Sequence, residues 1–141
     1  MITNNLREVG GSHYEILDIE PVALFSQYRL SWFQGEAIKY VSRFFRKNGL
    51  IDLKKAAHIC QMATSLDKYP NTYNGVISLD DNLLSRYLYQ FIHSFAEPNS
   101  YNIFKDVVMF VLNKEYDKAY SKISDLIYSE YADILKTYNV D

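Results

Sequence analysis

One cysteine and five glycines in 141 residues close off several classes of function at the outset. A single thiol, Cys60, forms no intramolecular disulfide, and no pair of Cys or His residues has zinc-ligand spacing, so no metal site is expected from them. The glycines never fall in GxxxxGK(S/T) or in GxGxxG, which removes the standard P-loop and Rossmann nucleotide sites. HExxH, GxSxG and CxxC are missing as well. No apolar run approaches the roughly 18 to 20 residues that a membrane span needs, and MITNNLREVG lacks the apolar segment of a signal peptide. A cytoplasmic protein without a membrane partner is the expectation.

What is present is ordinary for a globular chain: 48% hydrophobic and 23% charged residues, too apolar for disorder. The length suits one domain, or a small motif domain with a helical extension. The net charge of −2 hides an asymmetry. Residues 1–69 hold nine Lys or Arg against seven acids, and residues 70–141 hold six against ten.

The stretch from Trp32 to Cys60 concentrates the chemistry. Wound at about 100° per residue, Phe33, Ala37, Ile38, Tyr40, Val41, Phe44 and Phe45 gather on one side of a helix over 33–47. Lys39, Arg43, Arg46 and Lys47 gather on the other. Steps of three and four residues bring those cations within reach of one anion or one polyphosphate. Asn48-Gly49 should end the helix by a left-handed cap, and the next helix, about 51–68, adds Lys54 and Lys55. Residues 39–55 thus hold six cations against the single acid Asp52. Such a face is either a solvated helix surface or an anion site.

Along the rest of the chain, Pro21 marks the first turn of a short helix to Tyr28, and Ser31 is an N-cap for the basic helix. Gly35 inside that helix costs about 1 kcal/mol relative to alanine, which suggests close approach of a backbone or a ligand. Leu53, Ala56, Ala57, Cys60 and Ala63 form a small-residue face suited to close helix packing. The turn-rich segment 69–75 is the expected boundary. Ser78 and Asp81 then form a capping-box pattern opening a helix to about Phe95, with Leu79, Leu83, Leu84, Tyr87, Leu88, Phe91, Ile92 and Phe95 expected to be buried. Pro98 breaks the chain before helices over about 101–112 and 115–138, the last with a long apolar stripe. The expected fold is all-α with about six helices: a motif hairpin in residues 1–69 packed against a C-terminal helical extension, 70–141. That last stripe could pack its own domain, pair with a second copy in a homo-oligomer, or grip a host or phage protein.

Five ordered blocks carry a resemblance: Ser12-His13-Tyr14, Ile19-Glu20-Pro21, Phe33-x-Gly35-x-Ala37-Ile38-Lys39-Tyr40-x-x-Arg43, Lys47-Asn48-Gly49 and Asp52-Leu53-x-Lys55-Ala56. Over about residues 11–66 the chain resembles a family of small tailed-bacteriophage proteins that carry the labels nucleotide kinase and SaV-like. The resemblance implies a nucleotide or other phosphorylated ligand, and a deoxynucleoside monophosphate kinase activity that would use Mg²⁺ and a nucleoside triphosphate without a P-loop. It implies site roles for His13, which would orient a phosphate or move a proton with Tyr14 nearby, and for Arg43, which would clamp a phosphate. Lys39 and Lys55 would neutralise charge, Lys47 would complete the cationic row with Lys39 and Arg43, and Tyr40 would pack beneath a base. Glu36 stands where the family pattern has Asn. The alternative is a non-catalytic phage protein that holds a nucleotide or nucleic-acid phosphate and redirects host machinery through a protein partner.

Overall fold

Pro21 opens the first helix, α1 (Pro21–Tyr28), where its missing N–H has no intrahelical acceptor to forgo. In the computed structural model the described residues are 19–68 and 77–138, the side chains of 135–138 excepted. Among them there are six α-helices and no strand: after α1 come α2 (Trp32–Val41), α3 (Leu50–Leu66), α4 (Asn82–Tyr89), α5 (Pro98–Leu112) and α6 (Tyr116–Tyr138). The all-α architecture expected from the periodicity is the one observed. No helix is long and apolar enough to cross a membrane among the described residues.

Capping chemistry sets the starts of these helices. Ser31 and Gln34 form a reciprocal capping box, with Gln34 N–H donating to Ser31 Oγ at 3.2 Å and Ser31 N–H to Gln34 Oε1 at 2.8 Å. The same Gln34, fully buried, donates its amide to the carbonyls of Val111 and Leu112 at 3.2 and 3.0 Å. It thereby satisfies two C-terminal acceptors of α5 that the helix cannot. Two other side-chain amides tie remote backbone in the same way: Gln90 brackets Ile19 through its N–H and its carbonyl, and Asn113 brackets Ile77.

Helices α2 and α3 pack as a hairpin, α5 and α6 as a second, and α3 lies along α6 while α2 touches α5. Thr64 near the end of α3 donates to Asp117 at the start of α6, and Gly49 before α3 faces the Tyr131 hydroxyl late in α6. The two helices therefore run antiparallel. Leu53, Ala56, Cys60 and Ala63 are buried as the small-residue face predicted, and they join Val107, Val111, Ile123 and Leu126 in one core cluster. Each of the larger of these side chains contributes about 1.5–3 kcal/mol on burial.

Four local expectations are corrected. Regular helix stops at Val41 rather than Lys47, and 42–49 continues as successive turns. Ring packing accompanies this: Phe44 packs on Phe95 and Tyr131 while Phe45 packs on Phe91 and Phe95, so the turns over 42–49 bring both rings onto residues of the C-terminal half. Repulsion of Arg43 from Arg46 and Lys47 at helical spacing also disfavours a continued helix. The close approach at Gly35 is neither backbone nor ligand but the Phe25 ring, whose Cζ lies 1.5 Å from where an alanine Cβ would stand. The α4 helix begins after Asp81, which caps Leu83 and Leu84, and ends at Tyr89, leaving Leu79 and Ile92 exposed. Pro98 starts a helix instead of breaking one.

Candidate functional site

Stopping α2 at Val41 gathers the basic residues around one ring. Lys39 and Tyr40 stand in its last turn, Arg43 in the turn that follows, and Lys55 one turn into α3. Lys39 Nζ lies 4.8 Å from the centroid of the Tyr40 ring, the Arg43 guanidinium carbon 4.7 Å, and Lys55 Nζ 5.4 Å. Three cations thus share one half-buried π-system, whose negative face attracts each of them.

Two carboxylates answer those charges. Glu36 pairs with Lys39 at 2.7 Å across three residues of α2. Asp52, fully buried, accepts from Arg43 Nε and Nη2, both at 3.3 Å, and from the Asn48 N–H at 3.3 Å. As a negative residue in the first turn of α3, Asp52 suits the helix dipole, and it also ties the 42–49 turn to α3. The fork of Arg43 therefore faces Asp52, and the side chain is only 12% exposed. A phosphate would meet its remaining amino nitrogen rather than a free bidentate clamp. With Glu36 and Asp52 opposing Lys39, Arg43 and Lys55, the corner keeps one net positive charge. Arg46 donates to the Ser42 carbonyl at 2.8 Å and covers Phe45, away from the corner, while Lys47 is exposed on the turn.

Of the remaining predicted site residues, His13 and Tyr14 lie outside the described residues. The acids near the corner do not fit a Mg²⁺ site, since Glu36 and Asp52 are each bound to a cation. Among the described residues no group of three or more His, Cys, Asp or Glu converges as a metal-binding set.

Two further constellations were not legible as sites in the sequence. A groove of about 450 Å³ runs between α3 and α6, walled by Lys54, His58 and Gln61 on one side and by Tyr120, Ser124 and Tyr128 on the other, with Ala57 and Ile127 beneath. The steps of three and four on each helix were available as a signal, but only the antiparallel packing makes them face each other. The second is Asp67, which accepts from Ser31 Oγ at 2.9 Å, from Lys114 Nζ at 3.1 Å and from the Tyr116 hydroxyl. Burial alone would raise the Asp67 carboxyl; the hydrogen bonds from Tyr116, Ser31 and Lys114 overcome it and hold the group below its ordinary value. Burial, then the bond to Asp67, pushes the Tyr116 phenol up. This hub fastens the starts of α2 and α6 to the end of α3, and Lys114 reaches it from a left-handed backbone conformation, φ 58°.

No curated protein matches the chain, and no solved structure does. Residues 9–61, which contain α1, α2 and most of α3, match the model of a family described as protein of unknown function (DUF3310).

Proposed function

We propose that this protein binds a phosphorylated ligand, a nucleotide, with the phosphate held on the basic corner of Lys39, Arg43 and Lys55. The observation that carries this reading is the convergence of three cations within 5.4 Å of the Tyr40 ring centroid, opposed by only two carboxylates. Repelling charges gathered around one ring have a net surplus that an anion would relieve. Lys55, exposed and with no salt bridge among the described residues, is the group freest to meet it. The motif blocks shared with small phage proteins support the same ligand class.

Binding rather than phosphoryl transfer is the function this geometry favours. Transfer depends on preorganised cations aimed at the moving phosphoryl group, and the strongest such group here, Arg43, is turned toward Asp52. Isothermal titration with dTMP, dGMP and ATP tests the reading on the full chain. Binding of at least one nucleotide, weakened tenfold or more in Lys39→Ala/Lys55→Ala with the circular dichroism spectrum retained, is the expected result. Absence of binding to all three would overturn it. In the same samples with Mg²⁺, a diphosphate product made by the native chain and not by Arg43→Ala would extend the function to a deoxynucleoside monophosphate kinase.

A further inference from the structure

We infer that the groove between α3 and α6 is a stacking site for the bases of single-stranded nucleic acid, continuous across α3 with the basic corner. The inference rests on the phosphate reading above through Lys55, which the two sites share as neighbour and rim.

Consecutive residues on a helix point about 100° apart. Lys55 therefore leans over Tyr40 on one flank of α3 while Lys54 lines the groove on the other. Between them the surface of α3 shows Ile51, 59% exposed, and the exposed His58. The far wall offers two tyrosines eight residues apart on one face of α6, Tyr120 at 37% and Tyr128 at 50% exposure. Tyrosines in that state leave part of the ring accessible while the rest of the side chain stays packed, and an accessible ring is what a base stacks on. The half of the chain beyond residue 69 carries ten acids against six Lys or Arg, yet no carboxylate lines the groove. Its polar groups are Lys54, His58, Gln61 and Ser124, which can meet a backbone phosphate or a base edge.

Length separates an oligonucleotide from a mononucleotide. The corner and the groove lie on opposite flanks of α3, about 10 Å apart, so a nucleoside monophosphate seated at the corner leaves the groove open, whereas a strand reaches both. Stacked nucleotides advance about 3.4 Å each, so roughly three of them span that distance. A strand would place phosphates by Lys55 and Lys54 and bases against Tyr128 and Tyr120. With about three phosphates neutralised, the logarithm of affinity should fall with the logarithm of salt at a slope of about −2.

Fluorescence anisotropy with a labelled ten-residue oligothymidylate, its RNA counterpart oligouridylate, and an abasic strand of equal charge tests this on the full chain. Tyr120→Ala/Tyr128→Ala should weaken the two base-bearing strands tenfold or more and leave the abasic strand and dTMP unchanged. Lys54→Glu should weaken all three strands. A preference between the first two probes assigns the source as DNA or RNA. Oligonucleotide affinity equal to that of the abasic strand, or unmoved by the tyrosine variant, would overturn the inference and leave the phosphate corner standing. Binding of dTMP without binding of any strand would do the same. Failure of every strand together with dTMP, dGMP and ATP would remove both readings. Native circular dichroism of the variant guards against misfolding, and the abasic comparison needs no variant at all.

Discussion

Replacing Asp52 with Asn should move stability and phosphate affinity in opposite directions. The carboxylate is fully buried and takes two bonds from Arg43 and one from the Asn48 N–H. Breaking a buried pair costs about 3–5 kcal/mol when the surviving charge is stranded, but Arg43 keeps 12% exposure and its bonds are at the long end of the range. A loss of about 2–3 kcal/mol follows. With a urea slope of about 1.5 kcal/mol/M, the unfolding midpoint falls by about 1.3–2 M. Glu36→Gln is the control, because its pair with Lys39 is more exposed on both sides and should be worth under about 1 kcal/mol. The same Asp52 change raises the net charge of the corner from one to two. A unit charge about 6 Å from a phosphate, screened by solvent, tightens binding by about threefold to tenfold. Urea melts and nucleotide titrations on the two variants decide it. If Asp52→Asn costs no more than Glu36→Gln, Arg43 is not anchored as described. If affinity falls with stability, the corner is not an anion site.

Gly35→Ala should destabilise by about 1–3 kcal/mol in thermal or urea melts, because its methyl would stand on the Phe25 ring; in a Phe25→Ala background the same change should turn favourable by about 1 kcal/mol. Asp67 has a depressed carboxyl value, so its contribution to stability is complete above its ordinary value near 3.8 and is lost as pH falls through the lower folded value. Asp67→Asn should therefore be less stable at pH 7 and show a flatter acid limb between pH 4 and 2 in a series of urea melts. Burial pushes the Cys60 thiol up to about 12, so a thiol reagent at pH 8 should label the native protein only at the rate of its unfolding, and fully and at once in denaturant.

Periodicity made the helices legible wherever one face alone meets the core. Pro21 to Tyr28 and the small-residue face of α3 follow directly from their own residues. It failed where a neighbour three-dimensionally distant competes with the local pattern. Phe44 and Phe45 follow the helical stripe in sequence, but the rings that receive them, Phe91, Phe95 and Tyr131, lie some 50 to 90 residues on, and the chain makes those contacts from turns. The cations were legible as a cluster; their partners were not. Asp52 reads as a first-turn acid, and only the bend over 42–49 turns Arg43 back onto it. Gly35 signalled a close approach correctly, but one glycine cannot say what approaches. The groove needed the order of α3 and α6 in space, which no spacing within either helix contains.

The cations near the 42–49 turn and those on α3 answer to different physical demands. Arg43 on Asp52 and Lys114 on Asp67 each tie a turn to a helix through a nearly inaccessible carboxylate, and the carboxylate offsets part of the field each cation presents to a ligand. A tethered cation is well placed for a ligand but partly offset. Lys54 and Lys55 are exposed on α3 and keep their full charge, though they must give up rotamer freedom, about 2 kcal/mol at most, on binding. Attraction of a phosphate should therefore come chiefly from the free lysines, while Arg43 fixes where Tyr40 and the turn stand when it arrives. On that division Arg43 acts mainly as a positioning residue, and the two lysines at the head of α3 face the two places where a phosphorylated ligand would be felt.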